Sequence, residues 1–284
     1  MVNSVSLLGV KGGPAIGPGT NMPTSTLVRM EGMNILVDAG LGATRGICDQ
    51  GVQLTEIDLI LITHLHSDHY LELGSLLHTA WVAGLTKPIR ILGPKVLDHY
   101  WKHFCEAMSF DISLRLKDEG RCNFSNLAMI ETMKPGRVSG LDGLNITAML
   151  NDHPPIRESY ALKLSTDITS LVLSGDTAFM PEMIEFAKGA ELLVHEAMLI
   201  EGVDALLKRI TNGDERLREH IMRSHCPAAD VGRIASKADV KALAVNHFVP
   251  DGDPNFGEEA WEREIRTTWQ GPLHIGCDGM TITF

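Results

Sequence analysis

Residues 59–70 read LILITHLHSDHY. A short apolar run ends in three histidines and an aspartate, and that crowding constrains the fold more than any other feature. His64 and His66 alternate with Leu65, so in extended backbone their rings project to one side. A turn at Ser67 then carries Asp68 and His69 into a neighbouring volume. Neutral imidazoles gain little from such crowding by themselves. Around zinc or another borderline divalent ion they are the expected donors. A histidine-rich surface loop is the competing reading. The preceding IDLILI argues against it, because it reads as a buried strand whose C-terminal end is a natural site position.

A strand end of this kind needs partners from elsewhere in the chain. His153 follows an apolar strand in AMLNDHPP, Asp176 another in SLVLSGDTA, and His247 a third in ALAVNHFVP. Hydrophobic periodicity and turn residues predict strands at 4–8, 25–30, 34–37, 58–62, 89–92, 127–132, 145–150, 161–164, 170–174, 191–195, 242–246 and 281–283. Helices are expected at 42–48, 71–82, 96–109, 181–188, 203–209, 228–236 and 258–268. Strand-rich halves closed by helices imply an α/β protein, a four-layer αββα sandwich. No Pro/Ser-rich linker divides the chain, so residues 1–284 are expected to form one domain.

Composition narrows the function classes. The chain has 284 residues and a formal net charge of −11, which argues against a basic nucleic-acid-binding face as its main surface. Its five cysteines include no C-x-x-C pair, so a reducing, cytoplasmic setting fits better than a disulfide framework. No run is long and apolar enough to span a bilayer. The N-terminal MVNSVSLLGVKGGP reads as a first strand rather than a signal peptide.

Taken together, THLHSDH, His153, SGDT and NHF resemble the metallo-β-lactamase superfamily of binuclear metal hydrolases. The resemblance implies the αββα sandwich with a site at one edge. It also implies two Zn(2+) ions, or manganese or iron in their place. His64, His66 and His153 would hold one metal; Asp68, His69 and His247 the second; Asp176 would bridge them. Asp68 would also orient the attacking hydroxide. Two segments, ELLVHEAM and MRSHCPAADVGRIA, resemble the ribonuclease Z and arylsulfatase-like branch. They imply a Glu196–His225 pair in which His225 protonates the leaving oxygen and Glu196 holds its ring. Thr63 and Thr177 are candidates, by adjacency, for supporting the imidazoles.

The chain departs from ribonuclease Z in one respect. The common form carries a long tRNA-binding arm after the third-motif histidine, whereas here only residues 154–175 separate His153 from Asp176. A small-molecule ester, lactone or cyclic amide is therefore the expected substrate, and nucleic acid is not. The alternatives are a phosphodiesterase or ribonuclease Z-like nuclease, and an iron-dependent redox enzyme on the same fold. Residues 197–224 are expected to form a helical cap, with Met198, Leu199 and Met222 lining the site. Lys11 and Arg157 are candidate anion contacts. His99 and His103, four apart on a helix, are expected on a half-exposed face. Trp81 and Trp101 are expected in the core or pocket wall, and a homodimer is expected for this branch.

Overall fold

The computed structural model describes residues 2–138 and 143–284. In chain order the strands are β1 (Ser4–Gly9), β2 (Ser25–Met30), β3 (Met33–Val37), β4 (Leu59–Leu61), β5 (Ile89–Gly93), β6 (Ala128–Thr132) and β7 (Gly136–Val138). They continue with β8 (Asn145–Leu150), β9 (Tyr160–Ser165), β10 (Ser170–Leu173), β11 (Leu192–Met198), β12 (Ala242–Val249), β13 (Leu273–Ile275) and β14 (Met280–Thr283). The helices are α1 (Ala43–Asp49), α2 (Ser67–Tyr70), α3 (Leu73–Val82), α4 (Leu97–Ala107), α5 (Ser109–Asp118), α6 (Glu182–Phe186), α7 (Ile200–Arg209), α8 (Glu215–Ser224), α9 (Ala228–Ala238) and α10 (Glu258–Ile265).

Among the described residues these strands form two seven-stranded sheets, ordered β14-β1-β2-β3-β4-β5-β6 and β13-β12-β11-β10-β9-β8-β7. The alternation of side chains along each strand builds the layers. Leu59 and Leu61 join the core between the sheets, while Ile60 and Ile62 face the other way. There they meet Ile47 of α1, Leu76 and Trp81 of α3 and Trp101 of α4. Each such side chain, fully buried, contributes roughly 1.5–3 kcal/mol. The far face of the second sheet is closed by Val231 and Ile234 of α9 and Trp261 and Ile265 of α10. The result is the expected four-layer sandwich.

Strand polarity positions the site. β3, β4, β5 and β6 run parallel, as do β10, β11, β12 and β13. The C-terminal ends of β4, β10 and β12 therefore open on edges of the two sheets from which loops can meet.

Some boundaries differ from the sequence expectation. The helix expected over 96–109 ends at Ala107 and is followed by α5, which buries only Ile112 and so has faint apolar periodicity. β7 and β13 are three residues each and too short to register as periodic runs. β11 and β12 run on to Met198 and Val249. All five cysteines are free. Among the described residues, no helix is long and apolar enough to cross a membrane.

Candidate metal centre

The strand β4 delivers the first candidate ligands. Past its end, Thr63 is pinned by Asp38, which accepts from Thr63 N at 2.7 Å and from Thr63 Oγ1 at 2.8 Å. His66 then starts the short helix α2, and Asp68 and His69 fall inside it, turned away from the strand direction. His153 lies in the β8–β9 connection, and its Nδ1 donates to Ser224 O at 2.9 Å. Asp176 follows β10 through Gly175, whose φ of 57° is left-handed. A Cβ at Gly175 would sit 2.5 Å from Tyr160 O, so only glycine makes this turn.

His247 reaches the site by a bulge. In the β11–β12 pairing Glu196 faces Asn246 and Ala197 faces Phe248, leaving His247 as the extra residue. Its φ of 45° is left-handed. Bulges re-aim a side chain in this way, and strain of this kind clusters at functional sites.

These residues form two groups. In the first, His66 Nδ1 lies 3.1 Å from His64 Nε2 and 3.0 Å from His153 Nε2. Nitrogens tetrahedrally placed around a zinc ion stand about 3.3 Å apart. In the second, Asp68 Oδ2 lies 3.5 Å from His69 Nε2 and 3.4 Å from His247 Nε2. Asp176 Oδ2 faces both: it is 3.7 Å from His64 Nε2, 4.0 Å from His153 Nε2, 3.3 Å from His69 Nε2 and 2.9 Å from His247 Nε2.

The donor set fits divalent cations. His69 gives its Nδ1 proton to Asp38 Oδ2 at 2.7 Å, which leaves Nε2 as the inward lone pair. That buried Nε2, like both ring nitrogens of His247, has no hydrogen-bond partner. Convergent buried donors without partners are costly unless something takes their lone pairs.

The electrostatics separate the two groups. In the first, burial lowers His64 well below the ordinary imidazole range, helped by His69. Burial, then His153, takes His66 down to about 4. Burial also lowers His153, against the pull of Asp176. In the second, burial again works downward, but the carboxylates overrule it. Asp176, Asp38 and Asp68 raise His69 well above its usual value, and Asp176 and Asp68 raise His247 to about 10. Burial works upward on Asp68 and Asp176, yet the surrounding imidazoles hold both carboxyls below the ordinary range. This field favours positive charge at the junction.

The predicted Glu196–His225 pair is formed. Glu196 Oε1 accepts from His225 Nδ1 at 3.1 Å and from Thr177 N at 2.9 Å. The His225 ring stacks 5.3 Å from that of His247 and stands 5.4 Å from that of His153. Thr63 touches His64 Nδ1 at 3.1 Å, as anticipated, whereas Thr177 acts through its backbone on Glu196.

Three residues were not anticipated. Asp38 ties Thr63 and His69 together from the end of β3, with a left-handed φ of 61°. Gly13, in the glycine-rich stretch GVKGGPAIGPG between β1 and β2, donates to Asp68 Oδ2 at 2.7 Å. His220 of α8 sets its ring 5.7 Å from that of His66. Asp38 carried a usable signal in its strand-end position in ILVDAG, and Gly13 in its glycine-rich loop, which the sequence suggests borders the pocket.

Other expectations need correction. Met198 packs with Val203, Ile221, Val249 and Met222 in a separate small cluster under α7 and α8, and Leu199 joins the main core. Apolar side chains on these helices seek each other before they face a polar site. Lys11 is buried and donates to Gly12 O at 2.7 Å. His99 and His103, by contrast, lie on the exposed face of α4, 3.0 Å apart and outside the cluster, as expected.

The family profile described as "Anti-Pycsar protein Apyc1" matches residues 4–243. A protein named ribonuclease Z from Mycolicibacterium gilvum is 31% identical over 277 residues, which cover 96% of this chain and 93% of that protein. Among solved structures, the metallo-β-lactamase fold protein YhfI from Bacillus subtilis superposes with a TM-score of 0.74 at 19% identity, over 100% of both chains. The short form of human tRNase Z gives a TM-score of 0.69 at 19% identity, over 98% of both chains. The chain belongs to the family of the anti-Pycsar protein Apyc1, within the ribonuclease Z branch of the metallo-β-lactamase superfamily, and is a metal-dependent hydrolase.

Proposed function

We propose that this chain hydrolyses a phosphodiester bond with two divalent cations, zinc being favoured by the nitrogen-rich donors. His64, His66 and His153 would hold one ion and Asp68, His69 and His247 the other, with Asp176 facing both groups. The observation that carries this reading is the position of Asp176 Oδ2, within 4.0 Å of imidazole nitrogens from both groups. When bound, such a pair of ions activates water near neutral pH and neutralises charge developing on phosphoryl oxygens.

The chain's own residues do the rest. Asp68, held by Gly13 N, orients the attacking water and accepts its proton. His225, with Nδ1 committed to Glu196, carries a proton on Nε2 to the leaving oxygen. Because Glu196 Oε1 also takes Thr177 N, the residue after Asp176, one carboxylate ties the acid to the shared ligand. Residues 197–224 act as a cap, since Ser224 O holds His153 and His220 stands beside His66.

A phosphodiester is preferred here to the small ester, lactone or cyclic amide suggested by sequence. A relative named ribonuclease Z, matched over 93% of its own length, supports that choice. Such a match leaves that relative no room for a long arm absent from this chain, so the short 154–175 segment no longer argues against nucleic acid. Five free cysteines fit work in the cytoplasm.

The test is turnover by zinc-loaded protein of bis(p-nitrophenyl) phosphate, an aryl sulfate, a lactone and a cyclic amide, with Asp68→Ala as control. Phosphodiester cleavage that vanishes in the control is expected. Lactone or amide turnover with a silent phosphodiester would sink the reading.

A further inference from the structure

The segment that meets Asp68 has little side chain with which to fix its own course. Residues 10–24, VKGGPAIGPGTNMPT, join β1 to β2 and are rich in glycine and proline. Their path is therefore set by hydrogen bonds to other parts of the chain. Lys11 N donates to Met22 O at 2.9 Å, which closes the segment on itself. Gly12 N donates to Phe248 O at 3.1 Å, and Phe248 N to Val10 O at 2.9 Å, which lays it along the end of β12.

That course brings it against two candidate ligands of the second group. Gly13 N donates to Asp68 Oδ2 at 2.7 Å. Gly12 packs on the His247 ring so closely that a Cβ there would lie 2.9 Å from His247 Cε1 and 2.7 Å from Val249 Cγ2. Only glycine allows this approach. A small shift of the segment would move the donor from Asp68 and open the contact with His247.

Asp278 holds both ends of the segment. It lies in the connection from β13, in the second sheet, to β14, in the first. Gly276 N donates to Val245 O of β12 at 2.9 Å, and Gly279 N to Leu7 O of β1 at 2.7 Å, so this connection is anchored on both sheets. Between those anchors Asp278 Oδ1 accepts from Val10 N at 3.2 Å and Oδ2 from Met22 N at 2.7 Å. Val10 and Met22 flank the Lys11–Met22 closure, and Gly13 is three residues beyond Val10.

We infer that Asp278 is a positioning residue for the second ligand group, acting through the glycine-rich segment on Asp68 and His247. The inference rests on the two-ion reading and adds a residue to it. A carboxylate suits the task because each oxygen accepts from a different end of the segment. Asparagine offers one acceptor oxygen and turns an NH₂ group towards the other N–H. Asp58 is the contrast: its Oδ2 accepts from Asn34 N at 2.8 Å just before β4, at the opposite end of that strand from His64. Both acids are exposed, so Asp58 controls for the loss of an ordinary carboxylate-to-backbone bond.

The test compares Asp278→Ala, Asp278→Asn and Asp58→Ala in the full chain. In metal-stripped protein, amide exchange at Gly13 is read by NMR. It should be about tenfold faster in Asp278→Ala, intermediate in Asp278→Asn and unchanged in Asp58→Ala. In a zinc titration, the binding phase that Asp68→Ala abolishes should weaken about tenfold in Asp278→Ala while the other phase holds. Wild-type exchange at Gly13 together with wild-type affinity in Asp278→Ala would overturn the assignment, as would equal weakening of both phases. If wild type takes up only one zinc, the two-ion reading fails, and Gly13 exchange in stripped protein still decides whether Asp278 positions the segment.

Discussion

The two imidazole groups that face Asp176 sit in different electrical surroundings. His64 and His153 are buried and His66 half-buried against them, and desolvation keeps all three neutral. His69 and His247 are as deeply buried, yet Asp176 and Asp68 hold them well above the usual imidazole range, with Asp38 adding to the effect at His69. The mechanical supports differ too. The first group is fixed partly from the α8 side, by Ser224 O on His153. The second is fixed from inside the first sheet, by Asp38 on His69. A ready-made neutral group therefore adjoins one whose members must give up protons before they could take a metal.

His225 belongs to neither group, although its ring stands near one histidine of each. Its removal offers the largest test of the division of labour. His225→Ala should lower turnover by about 10²–10⁴ while both ions stay bound, with the greatest loss for substrates with poor leaving groups. Metal content by elemental analysis and rates on a series of aryl phosphodiesters would check this. An equal loss across the series would remove the acid role.

Asp38→Ala separates the supports. It should weaken metal binding about 10–100-fold at the second group, as expected when a ligand loses its orienting carboxylate. The first group should be touched less, although Thr63 also leans on Asp38. Calorimetric zinc titration of stripped protein would resolve two affinities. A change confined to the weaker or tighter phase supports the asymmetry, and an even change breaks it.

The smallest effect is in pH. His247 is raised to about 10, so at neutral pH it binds a proton in stripped protein and must release it to accept a metal. Affinity at the second group should therefore climb with pH up to about 10, by at most about tenfold per unit for each proton released. His66 is lowered to about 4 and is already neutral. Affinity at the first group should be flat above pH ~6, since its members are displaced below the ordinary imidazole range. Competition with a chelating indicator at several pH values measures both slopes.

The same asymmetry explains what was legible in the sequence. His64, His66, Asp68 and His69 are contiguous, so their spacing carried both groups at once. His153, Asp176 and His247 each ended an apolar strand, a repeated pattern that a single strand end would not have provided. The supports were mostly silent. Asp38 is one acid after one strand, and its role depends on a left-handed backbone and a neighbouring strand. His220 is a helical residue whose relevance arises only when α8 packs near His66. The bulge at His247 is a property of the β11–β12 pairing, which no local pattern records. The layers were readable because alternation in strands such as β4 sets both faces. α5 was not, because it buries a single side chain.

The central claim is that one carboxylate serves both groups, and metal counting in Asp176→Ala tests it most directly. Wild type should hold two ions per chain. The variant should lose both, or keep only a weakly held one, and lose phosphodiester turnover with them. Two tightly held ions and undiminished turnover in the variant would contradict the account.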